Sequence, residues 1–142
     1  MSANTFTSKS NAQLATCHSA LQDLFNSVLP YIDCTIIEGK RTEEQQRANV
    51  RRGVSKTLNS HHVYPLGEPS MAVDVAPYPI RWTDAPRFYY FAGFVKAMFI
   101  HLQLKGVIPN QYYLRWGGDW DGDNDFSDQT FNDLVHFELR KR

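Results

Sequence analysis

The sequence predicts one small α+β domain, and three observations carry that prediction. Two segments repeat apolar residues at helical spacing: Leu14, Cys17, Leu21, Leu24 and Val28, then Phe88, Phe91, Val95, Met98 and Leu102. Four short runs have strand character: Thr35-Ile36-Ile37, Met71-Ala72-Val73-Asp74-Val75, Tyr112-Tyr113-Leu114-Arg115-Trp116 and Val135-His136-Phe137-Glu138-Leu139. The 142 residues contain no repeat, low-complexity tract or linker, so residues 1–142 form a single domain large enough to bury a core.

The punctuation follows the same reading. Ser10-Asn11-Ala12-Gln13 reads as a capping box opening the first helix, which Pro30 closes. Thr42-Glu43-Glu44-Gln45 is a second box, opening a polar helix that should end by Gly53. Residues 54–70 lack periodicity and contain Pro65, Gly67 and Pro69, which predicts a long loop of the kind that carries function. Pro77 and Pro79 stop the next strand. Thr83 then caps a long helix with Pro86 in its first turn and Gly106 at its end. Its aromatic stripe is read as a core face. An acidic, turn-rich loop occupies residues 119–128.

Composition narrows the function. Fifteen basic and fifteen acidic residues give a formal net charge of zero, so no global field draws the chain to nucleic acid or to an anionic membrane. The basic end Arg140-Lys141-Arg142 is read as a solvated tail. Cys17 and Cys34 form no Cys-x-x-Cys pair, which removes a cysteine zinc cluster, and spacing requires no disulfide between them. Neither a secretory signal nor a membrane-length apolar run is present, so no stable membrane association is expected.

The chemistry concentrates in a few residues. Asp133 stands three positions before His136 in Asn132-Asp133-Leu134-Val135-His136-Phe137-Glu138. Upstream lie Ser60-His61-His62 and Ala72-Val73-Asp74-Val75. Asp74 interrupts an apolar strand, where a charge is costly unless paired or metal-bound. Two histidines and one carboxylate leave zinc a fourth position for water, and a further acid beside that water equips a peptidase. His136 should face away from Val135 and Phe137, with Glu138 on its own face to orient it or to contact substrate. Adjacent His61 and His62 cannot be separated by this reasoning. His18 and His101, in helical segments without partners at ligand spacing, are left out. The alternating Asp119, Asp121, Asp123 and Asp125 invite calcium, but Asn124 stands where an EF-hand has its turn glycine and Thr130 where it has its bidentate glutamate. The loop is therefore read either as a solvated turn or as an irregular calcium site.

These residues resemble the zinc D-Ala-D-Ala carboxypeptidase family, in particular its bacteriophage L-alanyl-D-glutamate endopeptidase branch. The family pattern is Ser-x-His, then Ala-x-Asp, then an acid three residues before a histidine. The resemblance extends to Gly39-Lys40-Arg41-Thr42, Ser55-Lys56-Thr57-Leu58, Arg115-Trp116-Gly117-Gly118-Asp119-Trp120 and His136-Phe137-Glu138, covering roughly residues 36–139. It implies a Hedgehog/DD-peptidase-like fold, a short antiparallel sheet flanked by helices. By register it implies zinc on His62, Asp74 and His136, with Asp133 as general base. Arg41 falls at the family's active-site arginine, to stabilise an oxyanion or hold a substrate carboxylate; its plain alternative is a surface arginine before a helix cap. Ser60 would bind substrate or hydrogen-bond near the metal, and Trp116 and Trp120 would either wall the cleft or fill the core. The chain departs from the pattern by a longer insert, Val63-Tyr64-Pro65-Leu66-Gly67-Glu68-Pro69-Ser70, ahead of the aspartate, and by Ser70-Met71 in place of a Ser-His.

The implied function is cleavage of the L-alanyl–D-glutamate bond in peptidoglycan stem peptides by a monomeric phage endolysin. Such an enzyme accumulates in the host cytoplasm without a signal peptide and reaches the wall through a separate pore. With no separate wall-binding domain visible, targeting would rest on the catalytic domain itself. Two alternatives stay open: a carboxypeptidase trimming terminal D-alanine, and a non-catalytic phage module whose zinc only holds the fold.

Overall fold

The computed structural model describes residues 3–41, 43–53, 63, 67–127 and 132–142. Eight elements follow in the order α1 (Ser8–Leu14), α2 (Ser19–Val28), β1 (Cys34–Glu38), α3 (Glu43–Arg51), β2 (Ala72–Pro77), α4 (Ala85–Leu104), β3 (Tyr112–Gly117) and β4 (Asp133–Lys141). The strands form one antiparallel sheet in the order β1-β2-β4-β3. The α+β class, the polar third helix ending before Gly53 and the four strands match the sequence reading.

The helical reading needs correction at its start. The apolar repeat from Leu14 to Val28 is two helices rather than one. Thr7 caps α1 by accepting the Ser10 amide at 3.1 Å, and His18 Nδ1 caps α2 by accepting the Ala20 amide at 3.0 Å. Between them the chain leaves the helix to pair with Ser70, through Ser70 N to Thr16 O at 2.9 Å and His18 N to Ser70 O at 2.8 Å. Periodicity could not show this, because Cys17 stays buried across the break. At α4 the cap position is Asp84, not Thr83, and its side chain makes no capping bond. The expected Thr42 cap and most of the 54–70 loop lie outside the described residues.

Alternation divides the sheet into two faces. Ile36, Val73, Val75, Phe137 and Leu139 point to the core and are at most 2% exposed. Phe137 packs edge-on against Phe25 of α2 at 5.5 Å and Phe91 of α4 at 6.1 Å. The other face carries Asp74, His136, Glu138 and Arg115. Buried thiols at Cys17 and Cys34 are both free, and burial pushes each up to about 12, so they behave as inert core groups.

Helix α1 shields the outer edge of β1 and its continuation. Ser10 Oγ accepts the Ile36 amide at 3.1 Å, Gln13 Oε1 the Gly39 amide at 2.9 Å, and Thr16 Oγ1 the Lys40 amide at 2.7 Å. These bonds satisfy donors that an edge strand would otherwise leave open. They also bring α1 so close that a Cβ on Gly39 would stand 2.3 Å from Gln13 O and from Thr16 Oγ1. On α4, by contrast, Gly93 is exposed and a Cβ there would meet nothing within 4 Å. Alanine should therefore act with opposite sign at the two positions. Gly39→Ala is expected to destabilise by about 1–3 kcal/mol through overpacking, and Gly93→Ala to stabilise by about 0.5–1 kcal/mol. Urea unfolding of both variants checks this; shifts of the same sign would contradict the packing described.

Candidate metal centre

Sheet register builds the centre. Asp74 on β2 and His136 on β4 are directly paired across the two central strands. That pairing sets Asp74 Oδ1 3.1 Å from His136 Nδ1. The other ring nitrogen, Nε2, lies 2.7 Å from Glu138 Oε1, two residues along the same face. His136 is 7% exposed and Glu138 2% exposed, so both contacts are shielded from water.

Asp133 reaches this group only because the sheet is irregular. In a regular strand, residues three apart face opposite ways. Here Trp116 pairs with Phe137 while Gly117, one step on, pairs with Asp133, so β4 carries three extra residues against β3. Trp116 Nε1 donates to Leu134 O at 2.8 Å and ties the excursion down. Gly117 makes the approach feasible, since a Cβ there would lie 2.1 Å from Asp133 O. The outcome is that ligand atoms of Asp74, Asp133 and His136 lie within 4.8 Å of one another, a group able to hold a metal ion. Imidazole nitrogen with carboxylate oxygen is a donor set that suits zinc.

A second bulge serves Arg41. Ile36 pairs with Val75 but Glu38 pairs with Asp74, which turns Glu38 towards the site face. Glu38 grips Arg41 through Nε to Oε1 at 2.8 Å and Nη2 to Oε2 at 2.7 Å, while Nη1 donates to the fully buried Gln46 on α3. The Glu38 hydrogen bonds hold the Arg41 guanidinium above its ordinary pKa. Burial opposes them, and the charges of Glu38, Asp74 and Asp133 add to them. Arg41 therefore sits in the field of the acidic cluster and is not an ordinary surface arginine.

The structure thus gathers Arg41, Asp74, Asp133, His136 and Glu138. Ser60 and His62, with the neighbouring His61, lie outside the described residues. The two tryptophans, each open between cleft wall and core, go separate ways. Trp116 does not wall a cleft: it is 2% exposed and belongs to the core. Trp120 does reach the centre, its ring 5.4 Å from the His136 imidazole. Glu138 contacts His136 Nε2 at 2.7 Å and, at 2% exposed, offers no surface to a substrate. In the acidic loop Asp119, Asp121 and Asp123 converge within 4.8 Å, whereas Asp125 instead accepts from Ser127 N at 2.9 Å and Ser127 Oγ at 2.6 Å. Sequence reasoning missed Glu38, Gln46 and the role of Gly117. A charged residue closing an apolar strand was the available signal for Glu38; nothing local marks the other two.

Comparison with known proteins decides the family. A family model described as phage L-alanyl-D-glutamate peptidase matches residues 1–140. The chain belongs to that family. It is 32% identical to the L-alanyl-D-glutamate peptidase of Escherichia phage T5, over 87% of each chain. Its fold is similar to the crystal structure of the L-Ala D-Glu endopeptidase ChiX of Serratia marcescens, with a TM-score of 0.68 and 26% identity across 96% of this chain and 91% of that one.

For this peptidase-family chain the two acids around His136 have a measurable consequence. Burial alone would lower the His136 pKa, but hydrogen bonds and charge from Asp74 and Glu138 outweigh it and raise it from 6.5 to about 9. The folded, metal-free protein thus holds a proton that the unfolded chain releases near 6.5. This contribution to stability is complete below about pH 6.5 and is lost as pH rises through about 9. Melts of chelator-treated protein should show Tm falling across that window more than in His136→Asn. Parallel profiles for the two proteins would contradict the assignment.

Proposed function

We propose that this chain is a zinc-dependent peptidoglycan endopeptidase that cleaves the L-alanyl–D-glutamate bond of stem peptides as a phage endolysin. The observation that carries the proposal is the convergence of Asp74, Asp133 and His136 within 4.8 Å, in a chain that the family model spans from residue 1 to 140. Asp74 and His136 would hold the ion, with His62 as third ligand by its place in the Ser-x-His motif. Zinc, when bound, supplies Lewis acidity to the scissile carbonyl and makes water more acidic.

The remaining chemistry belongs to the side chains. The Asp133 carboxylate takes a proton from the attacking water and returns it to the leaving nitrogen. His136 presents Nδ1 on the Asp74 side, while its Nε2 proton is donated to Glu138 Oε1. Arg41, steadied by Glu38 and Gln46, stabilises the developing oxyanion or holds a substrate carboxylate. Trp120 walls the cleft beside His136, and Ser60 binds substrate. Acting as a monomer in one domain, the enzyme would reach the wall from the host cytoplasm through a separate pore. No helix among the described residues is long and apolar enough to cross a membrane.

Asp133→Asn is expected to keep zinc affinity and to lose turnover by about 10²–10⁴-fold, the usual worth of a general base. Mass spectrometry of digested muropeptides should show new termini between L-alanine and D-glutamate. Free D-alanine would favour the carboxypeptidase alternative, and wall clearance by Asp133→Asn at the wild-type rate would favour the non-catalytic one.

A specific observation also favours calcium in the acidic loop, which we propose as a second bound ion. Asp119 is 2% exposed; its Oδ2 accepts the Asn124 amide at 2.9 Å, but its Oδ1 has no hydrogen-bond partner among the described residues. A buried carboxylate oxygen without a donor is costly, and a cation shared with Asp121 and Asp123 would satisfy it. Asn124 takes a left-handed φ of 64° at the turn, a conformation asparagine adopts more readily than most residues. Titrating calcium into zinc-loaded protein should release or absorb heat for wild type and not for Asp119→Asn. Absence of heat in wild type would end the calcium reading and leave the zinc centre standing.

A further inference from the structure

Glu138 is a carboxylate buried in mid-sheet, and its two oxygens have different duties. Oε1 meets His136 Nε2 at 2.7 Å. Oε2 accepts from Arg115 twice, from Nε at 3.1 Å and Nη2 at 2.8 Å, and from Arg140 Nη1 at the longer distance of 3.3 Å. Arg115 is the cross-strand partner of Glu138, so sheet register fixes their meeting. The same guanidinium has its Cζ 5.2 Å from the centre of the Trp120 ring. Trp120 in turn leans on the His136 imidazole at 5.4 Å. One side chain therefore touches both Glu138 and Trp120, each of which contacts His136.

From these contacts we propose that Arg115 is the positioning residue of the metal centre. Its fork pins Glu138 Oε2, which leaves Oε1 aimed at the Nε2 proton of His136. Its planar face holds Trp120 against the same ring. The proposal rests on the reading of His136 as a ligand through Nδ1.

The physical need is clear from the torsions involved. The terminal torsion of a glutamate is broad, so a carboxylate held at one oxygen alone can rotate and lose its aim. A carboxylate that fixes the tautomer and orientation of a ligand histidine contributes about 10–100-fold to metal affinity. Lysine cannot substitute here, because an ammonium is a point charge with neither a fork nor a face to stack. Arg140 reaches the same oxygen from the same strand, but from farther away.

The test compares Arg115→Lys, Glu138→Gln, their double variant and Arg140→Lys. Zinc affinity is read by competition with a chromophoric chelator at fixed pH, and the His136 ring by its ¹⁵N shifts in the zinc-loaded protein. Arg115→Lys keeps a cation beside the buried carboxylate and should fold; if its circular dichroism is lost, the charge-neutral pair Arg115→Gln/Glu138→Gln is measured against Glu138→Gln in its place. Arg115→Lys should weaken zinc about 10-fold or more and move the His136 signals, while Arg140→Lys stays within about twofold. In the Glu138→Gln background, changing Arg115 should add less than about twofold, because the residue acts through Glu138. Unchanged affinity and unchanged ring signals in Arg115→Lys, or full additivity in the double variant, overturn the proposal. Zinc that fails to bind wild type overturns the metal-centre reading as well, which separates the two failures.

Discussion

The pairing of Asp74 with His136 across the two central strands is the constraint on which the site depends. Both residues sit at the middle of a four-stranded sheet whose opposite face is the core. Phe137 locks that face between Phe25 and Phe91, directly behind the site. The backbone of His136 cannot shift without moving β4, and β4 cannot move without disturbing the core. Functional groups carried on central strands are held more rigidly than loops would hold them.

Around that pair the sheet departs from regularity in two places, and each departure delivers a side chain. The bulge in β1 turns Glu38 to the site face and with it Arg41. The excursion at the start of β4 swings Asp133 round to join Asp74 and His136, against a glycine that leaves room for it. Bulges of this kind re-aim side chains next to active sites. The cluster that results is crowded with carboxylates, and within it Asp74 and Glu138 raise the His136 pKa to about 9 against the opposing effect of burial. A divalent cation at that place would replace the proton and relieve the same crowding.

Much of this was legible in the sequence because it is carried by pattern. Strand alternation put His136 and Glu138 on one face, opposite Phe137, and a charge among valines singled out Asp74. The order of the motifs pointed to the family that the comparisons establish. What was not legible depends on tertiary contact. The break between α1 and α2 comes from Ser70, far along the chain, and leaves the apolar repeat undisturbed. Alternation in β3 places Trp116 with Tyr112 and Leu114 on the core face, whereas the approach of Trp120 to His136 depends on how β3 turns into its loop. The three-residue offset that brings Asp133 to His136 is invisible until β3 and β4 are paired.

The most direct measurement is anomalous diffraction at the zinc edge from crystals grown with zinc. One peak within bonding reach of Asp74 Oδ1 and His136 Nδ1, with the Asp133 carboxylate adjacent, is the result expected. A protein that crystallises in this fold with its zinc peak elsewhere, or with none at the Asp74–His136 pair, would contradict the account.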